Sequence, residues 1–264
     1  MSGMLDRVGT SEAGISEGVL DKQSAARRLR TSRLEPDAGL AGVVSHYWVL
    51  RWNLPDGAHH TVSLLGRLGC SFAWTDAGAL VYGVQTRRFT YELAGQGRAT
   101  GAKLTPAGIR AFCENEAHTL TDRAVDAGRF LDVDPSFADR LRSADDDETA
   151  RELDALLAGQ RPRNDPRIRT ANDVVQAIES HPRVTRVSGI AELAGMGVRS
   201  LQKLMRAYVG ARAKWIIERL RVIQAVRALE TDPDADLARL ALRLGYYDQA
   251  HLTAAFRAAT GTTP

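Results

Sequence analysis

The sequence is poor in the residues that build disulfide frameworks, metal sites and membrane spans. Cysteine occurs only as Cys70 and Cys113 in 264 residues, which leaves neither a disulfide framework nor a CxxC metal site. No run approaches the roughly 20 apolar residues that cross a membrane, and the N-terminus lacks the apolar segment of a signal peptide. We therefore expect a cytoplasmic protein with no membrane partner.

Histidine is scattered through the N-terminal half as His46, His59, His60 and His118. Only His59 and His60 are close together, and neighbouring residues of a strand point to opposite faces of the sheet. The sequence has no His-x-His followed by Glu and no His-Glu-x-x-His. We predict no metal site, no cofactor and no catalytic residue, so we expect that the protein is not an enzyme.

Positive charge is concentrated near the C-terminus, although the whole chain carries a net charge of only +3. Residues 165–264 contain 15 Lys and Arg against 10 Asp and Glu, whereas residues 1–164 contain 20 against 22. A basic part attached to a mildly acidic part is typical of a phosphate-binding module joined to a second domain. The length is sufficient for two domains, each with its own core.

The strongest pattern is a repeat within residues 188–264, whose two copies lie about 50 residues apart. Each copy has a short apolar segment, a glycine, a longer amphipathic segment and a second glycine. These glycines are Gly195 and Gly210 in the first copy, and Gly245 and Gly261 in the second. The pattern predicts two helix-turn-helix units, in each of which the second helix can enter the major groove of DNA.

The first recognition helix is predicted over about residues 198–209. Its outward-facing residues, spaced at i, i+3, i+4 and i+7, are Arg199, Gln202, Lys203 and Arg206. Arg and Lys pair with guanine and Gln pairs with adenine. The alternative is a solvated basic face, and the position directly after a glycine-rich turn favours DNA contact. Residues 213–230 predict a connecting helix of about 27 Å, which suits two recognition helices about one DNA turn (~34 Å) apart.

Short apolar runs broken by turn residues occupy the N-terminal half up to about residue 131. Candidate strands at residues 43–52, 61–65, 71–74, 80–84, 89–93 and 102–104 predict an antiparallel sandwich or barrel. Such a fold can hold a small molecule. Tyr47, Trp48, Trp52 and Trp74 are the candidate ligand contacts, although aromatic residues of a β core mostly pack against one another.

The fold class is therefore predicted as α+β, with an antiparallel β domain and flanking helices followed by an all-α double helix-turn-helix. We divide the chain into a flexible lead-in (1–33), a sensor or dimerisation domain (34–158), a polar linker with two prolines (159–166) and a DNA-binding domain (167–264).

Residues Gly245–Thr253 and Thr260–Pro264 resemble the AraC/XylS family of bacterial transcription regulators, as do Leu201–Leu204 and Lys214–Ile217. More weakly, the segments His46–Trp48 and Gly101–Gly108 are similar to the cupin-type sensor half of one branch of that family. The resemblance implies that the partner is double-stranded promoter DNA. It also implies that the N-terminal half binds a small-molecule effector or forms a homodimer, with RNA polymerase as a further candidate partner.

The resemblance places the family's base-facing positions on Arg199, Gln202 and Lys203 in the first unit, and on Gln249, Ala250, Thr253 and Ala254 in the second. Because Ala254 stands where a basic residue is common, we predict asymmetric recognition. The first helix then supplies most base discrimination, and the second positions the duplex through Gln249, His251, Thr253 and Arg257.

Two further departures from the family pattern are visible. Gly197 stands where Ser or Thr commonly caps the recognition helix. The chain ends at Pro264, where the family continues with an aromatic residue and one or two arginines. We expect that a phosphate contact supplied by those residues is either missing or lies beyond this sequence.

Two alternative functions stay open at this point. One is a DNA-binding regulator without an effector, whose N-terminal half only dimerises. The other is a cupin-like enzyme with a DNA-binding appendage, which metal analysis of the purified protein would distinguish from a regulator.

Overall fold

The computed structural model describes residues 28–66 and 68–264. Most of the predicted lead-in, residues 1–27, lies outside the described residues. Its last part is not a lead-in, because Leu29–Leu34 forms strand β1 and pairs antiparallel with β2, Val44–Asn53. Leu29 and Leu34 are buried, and their burial holds this strand on the sheet. The predicted boundary at residue 33 is therefore wrong for residues 29–33.

The N-terminal half is antiparallel, as predicted, and consists of two sheets. Six strands pair in the order β1-β2-β7-β4-β5-β8, and β3 pairs with β6. The remaining strands are β3 His59–Leu64, β4 Ser71–Thr75, β5 Gly78–Tyr82, β6 Phe89–Ala94, β7 Gln96–Leu104 and β8 Ala124–Asp126. Short 3-10 turns occupy Gly108–Ala111, Ala117–Leu120 and Ala127–Arg129. All six predicted strands are present, whereas β1 and the three-residue β8 were missed.

Strand β7 begins six residues earlier than predicted. Gly97 and Gly101 both lie within the strand. A side chain at Gly97 would collide with the Trp52 ring, and one at Gly101 with the Trp48 ring. The two glycines therefore allow tryptophans of β2 to lie flat against β7, which is a known role of glycine inside a strand.

The six-stranded sheet is covered on both faces. On one face it packs against α1, Phe137–Ser143, and α2, Asp146–Gly159. Helix α2 begins with a capping box between Asp145 and Glu148, which satisfies free N–H groups at the helix start. On the other face, a smaller apolar cluster joins the large sheet to the β3–β6 pair.

Six helices form the C-terminal part, which is all-α as predicted. They are α3 Pro166–Ser180, α4 Val187–Leu193, α5 Val198–Leu204, α6 Ala213–Thr231, α7 Leu237–Arg243 and α8 Gln249–Thr260. A π-helical turn, Met205–Val209, extends α5. The four repeat glycines Gly195, Gly210, Gly245 and Gly261 all have positive φ, between 62° and 87°. Glycine adopts this left-handed conformation without steric cost, and it ends each helix of the repeat.

The two halves share one apolar core, although residues 160–165 between α2 and α3 are not helical. Leu68, Val84, Ala107 and Ala111 of the N-terminal half belong to the same cluster as the buried residues of α3, α5 and α6. The side-chain oxygen of Asn172 accepts a hydrogen bond from the Ala107 backbone at 2.9 Å. The first helix-turn-helix unit is thus built directly onto the β domain.

Candidate nucleic-acid interface

The first unit consists of α4 and α5. Leu201 of α5 is completely buried, whereas Arg199, Gln202 and Lys203 are exposed on the opposite side of the helix. The helix begins at Gly197, which provides no side-chain cap. The structure therefore brings three of the four predicted contacts of this helix together on one exposed polar face.

Arg206, the fourth predicted contact, belongs to the π-helical turn and not to α5 itself. Its Nη2 atom lies 2.9 Å from Nε2 of His118, and Nδ1 of His118 lies 3.0 Å from a carboxylate oxygen of Glu116. The Arg206 side chain is exposed, but one of its terminal nitrogens is directed at the N-terminal half. The structure thus separates Arg206 from the other three residues.

The second unit consists of α7 and α8. Asp248 caps α8 by accepting a hydrogen bond from the His251 backbone N–H at 2.7 Å. The His251 ring packs edge-on against Tyr246, with 5.2 Å between the ring centroids. Its orientation is therefore fixed at the start of the helix, at the end that enters the groove in helix-turn-helix proteins.

The exposed face of α8 is lined mainly by small side chains. A shallow open recess is bordered by Gln249, Ala250, Thr253, Ala254, Arg257 and Ala258. All of these residues are exposed except Thr253, which is half-buried. The structure places Gln249 and Arg257 on the same surface with little side-chain bulk between them, so a duplex can approach this helix closely.

Two buried arginines of α6 join this helix to the second unit and to the N-terminal half, and neither was identified from the sequence. Arg221 donates from Nε to the Leu244 carbonyl at 2.7 Å, and its guanidinium lies 3.8 Å from the centre of the Tyr246 ring. Arg219 donates to the Thr86 carbonyl at 2.8 Å. Burial lowers the pKa of both guanidinium groups. Arg219 and Arg221 are two of the six charged residues of α6, so no local pattern marks them as the buried ones.

The four aromatic residues proposed as ligand contacts do not lie together. Tyr47 is fully buried on the face covered by α2 and donates its hydroxyl to Asp154 at 2.7 Å. Trp74 is buried on the same face, 5.4 Å from the Phe137 ring. Trp48 and Trp52 belong to the apolar cluster on the opposite face. The structure therefore divides these residues between two layers.

Within residues 28–66 and 68–264, no three or more His, Cys, Asp or Glu side chains group together in a way that could hold a metal ion. In the same residues, every helix is too short or too polar to cross a membrane.

A sequence profile described as a helix-turn-helix domain matches residues 190–264, which cover nearly all of both units. The chain carries an AraC-type helix-turn-helix domain. Residues 32–126 match a second profile, described as a domain of unknown function (DUF6597), which lies N-terminal to the AraC-type domain. No curated protein matches the chain.

Several solved structures are similar to this chain. The C-terminal domain of AraT from Geobacillus stearothermophilus is 21% identical, and the similarity covers 36% of this chain and 79% of that chain with a TM-score of 0.34. An AraC-type regulator from Chromobacterium violaceum is 20% identical over 38% of this chain and 90% of that chain, with a TM-score of 0.34. ToxT from Vibrio cholerae is 10% identical over 90% of this chain and 96% of that chain, with a TM-score of 0.42. These likenesses are too distant to transfer a ligand or a residue role.

Proposed function

We propose that the protein is a sequence-specific regulator of transcription that binds promoter DNA through α5 and α8 together. The observation that carries this proposal is the paired arrangement of two helix-turn-helix units joined by one connecting helix, α6. Each unit exposes a polar face on its second helix. The match of residues 190–264 to a helix-turn-helix profile supports the same function. We propose that the protein acts by binding DNA and not as an enzyme.

The exposed residues suggest different tasks for the two helices. Arg199 and Lys203 can pair with guanine, and Gln202 can pair with adenine, so α5 would supply most base discrimination. On α8, the small residues around Ala250 and Ala254 leave fewer long side chains to reach base edges. Gln249, His251, Thr253 and Arg257 would then mainly contact the DNA backbone and fix the position of the duplex.

The N-terminal half would control this binding through its shared core with α3, α5 and α6. We propose that it responds to a small-molecule effector, because a ligand that favours one arrangement of the β domain also acts on the helices packed against it. The alternative is a domain that only forms a homodimer. RNA polymerase is the further partner that a transcriptional activator would contact, and such a regulator acts in the cytoplasm of a bacterium.

In vitro selection of binding sites with the full-length protein, repeated over a salt series, tests the proposal. We expect an enriched motif of two short half-sites about one helical turn apart. We also expect the affinity to fall steeply with salt, because cationic side chains displace counterions from phosphates.

Variants of the chain make this test specific. Lys203→Ala should relax base preference at one position of the motif, whereas Thr253→Ala should weaken binding evenly across sequences. Arg129→Ala removes an exposed charge from the N-terminal half and serves as the matched control. Enrichment of no motif at any salt concentration would contradict sequence-specific binding, and equal relaxation in both variants would contradict the asymmetry.

A further inference from the structure

A small cavity lies between the six-stranded sheet and α1, on the side of the β domain covered by helices. Its volume is about 20 Å³, enough for one water molecule or one monatomic ion. Trp74 of β4, Arg98 and Thr100 of β7, and Leu141 of α1 line the cavity. The cavity is distant in sequence from both helix-turn-helix units and belongs to a different layer of the fold.

Two side chains that line this cavity each have a buried N–H group without a hydrogen-bond acceptor among the described residues. These groups are Nε1 of Trp74 and Nε of Arg98. Trp74 is only 4% exposed, so bulk water does not satisfy its indole N–H. Buried donors in native proteins nearly always have an acceptor. The lining thus favours a bound group that accepts hydrogen bonds.

The local charge distinguishes an anion from a neutral acceptor. The terminal nitrogens of Arg98 donate only to neutral oxygens, of which the Ala144 carbonyl at 2.6 Å and the Thr149 hydroxyl at 2.7 Å are the nearest. The nearby carboxylates are already engaged, because Asp146 pairs with Arg51 and Asp145 caps α2.

The rest of the surroundings add little negative charge. Asp76, which also borders the cavity, is exposed to solvent, and Arg142 adds a second guanidinium to the lining. Burial and the nearby Arg51 lower the pKa of Arg98, while Asp146 and Asp145 act in the opposite direction. Arg98 therefore carries a partly buried positive charge without a carboxylate in direct contact, and such a charge favours an anionic partner.

We propose that this cavity binds one small anion of halide size, held by the Trp74 indole N–H and the Arg98 Nε–H. An anion needs only donors, whereas a water molecule would also have to donate its own two hydrogens. Arg98 also holds the turn between α1 and α2 through the carbonyls of Arg142 and Ala144. Anion binding should therefore stabilise the packing of both helices on the sheet.

Crystals of the full-length protein grown in sodium bromide test the proposal directly. We expect an anomalous scattering peak within hydrogen-bond distance of Trp74 Nε1 and Arg98 Nε. Electron density that fits a water molecule at that position, with no anomalous signal at saturating bromide, would overturn the proposal and identify a structural water. This measurement uses the unmodified chain, so it does not depend on whether a variant folds.

Thermal unfolding in solution provides the second test. Sodium bromide replaces sodium gluconate stepwise at constant ionic strength, and the Tm of each variant is measured at every bromide concentration. Trp74→Phe keeps the aromatic ring but removes the N–H, and should require about ten times more bromide for the same rise in Tm. Trp52→Phe is the matched control, because it removes an indole N–H that donates to the Ala94 carbonyl on the opposite face.

An identical bromide response in Trp74→Phe and the unmodified protein would contradict the site. DNA is absent from both experiments. A negative result would therefore leave the proposed regulatory function unaffected, and failure to bind DNA would leave the anion site unaffected.

Discussion

Nη2 of Arg206 lies 2.9 Å from Nε2 of His118, which joins a predicted DNA-contact residue to the N-terminal half. The contact spans 88 residues of sequence. Nearby, the Thr121 hydroxyl donates to the Gly210 carbonyl at 2.5 Å. The end of the first recognition segment is therefore held by side chains of the β domain. A rearrangement of that domain would be transmitted to the candidate DNA surface through these two contacts.

We predict that His118→Ala increases DNA affinity, because it releases Arg206 for contact with a phosphate. A single hydrogen bond of ordinary strength corresponds to about a 2–10-fold change in Kd. Fluorescence anisotropy on the selected binding site measures the change. His59→Ala is the control, since His59 lies in an exposed pair with Glu92. If Arg206→Ala has no effect in either the unmodified or the His118→Ala background, Arg206 does not contact DNA.

Arg221→Ala should destabilise the second helix-turn-helix unit. The substitution removes a buried side chain that packs on Tyr246 and leaves the Leu244 carbonyl without its donor. We expect a loss of about 2–4 kcal/mol in the free energy of unfolding, measured by urea denaturation. Arg239→Ala breaks only an exposed pair with Asp236 and should cost less than about 1 kcal/mol. Equal losses of unfolding free energy in the two variants would show that the burial of Arg221 does not contribute to stability.

Gly197→Ser should stabilise the start of α5. Gly197 has φ −71° and ψ 149°, and a Cβ atom there meets nothing within 4 Å, so serine fits the existing backbone. A hydroxyl cap and a less flexible unfolded chain together are worth about 0.5–1 kcal/mol. Thermal unfolding of Gly197→Ala separates the two contributions, because alanine restricts the unfolded chain without capping. A serine variant no more stable than the alanine variant would show that no cap forms.

Gly210→Ala tests the junction between the two halves. Gly210 has φ +87°, and an added Cβ would lie 3.1 Å from the Ala117 carbonyl oxygen. Gly195 has φ +62° but open space around it, so Gly195→Ala should cost only the roughly 1–2 kcal/mol of a left-handed alanine. Urea denaturation should show a larger loss for Gly210→Ala. Similar losses would indicate that the halves adjust without strain at this point.

The helix-turn-helix repeat could be predicted because its signals are local. A glycine with positive φ ends a helix through its own backbone geometry, and Asp248 caps α8 through a residue three positions away. Strands β2 to β7 were found for a similar reason, since their short apolar runs are bounded by turn residues. Strand β1 was missed because its residues are polar between Leu29 and Leu34, and only pairing with β2 makes it a strand.

The candidate DNA surface was likewise predicted only in part. The amphipathic spacing of α5 was enough to place Arg199, Gln202 and Lys203 on one exposed face. It did not show that Arg206 contacts His118, because that contact depends on how the β domain packs against the π-helical turn.

The sequence by itself determined the two helix-turn-helix units, the glycines that end their helices and the polar faces of their second helices, because helix periodicity and glycine conformation act over a few residues. The tertiary structure alone decided which face of the sheet each tryptophan occupies, that Arg219 and Arg221 are buried, and that the two halves share a core. Those outcomes depend on packing between residues far apart in the chain, and no local pattern specifies the partner of a buried side chain.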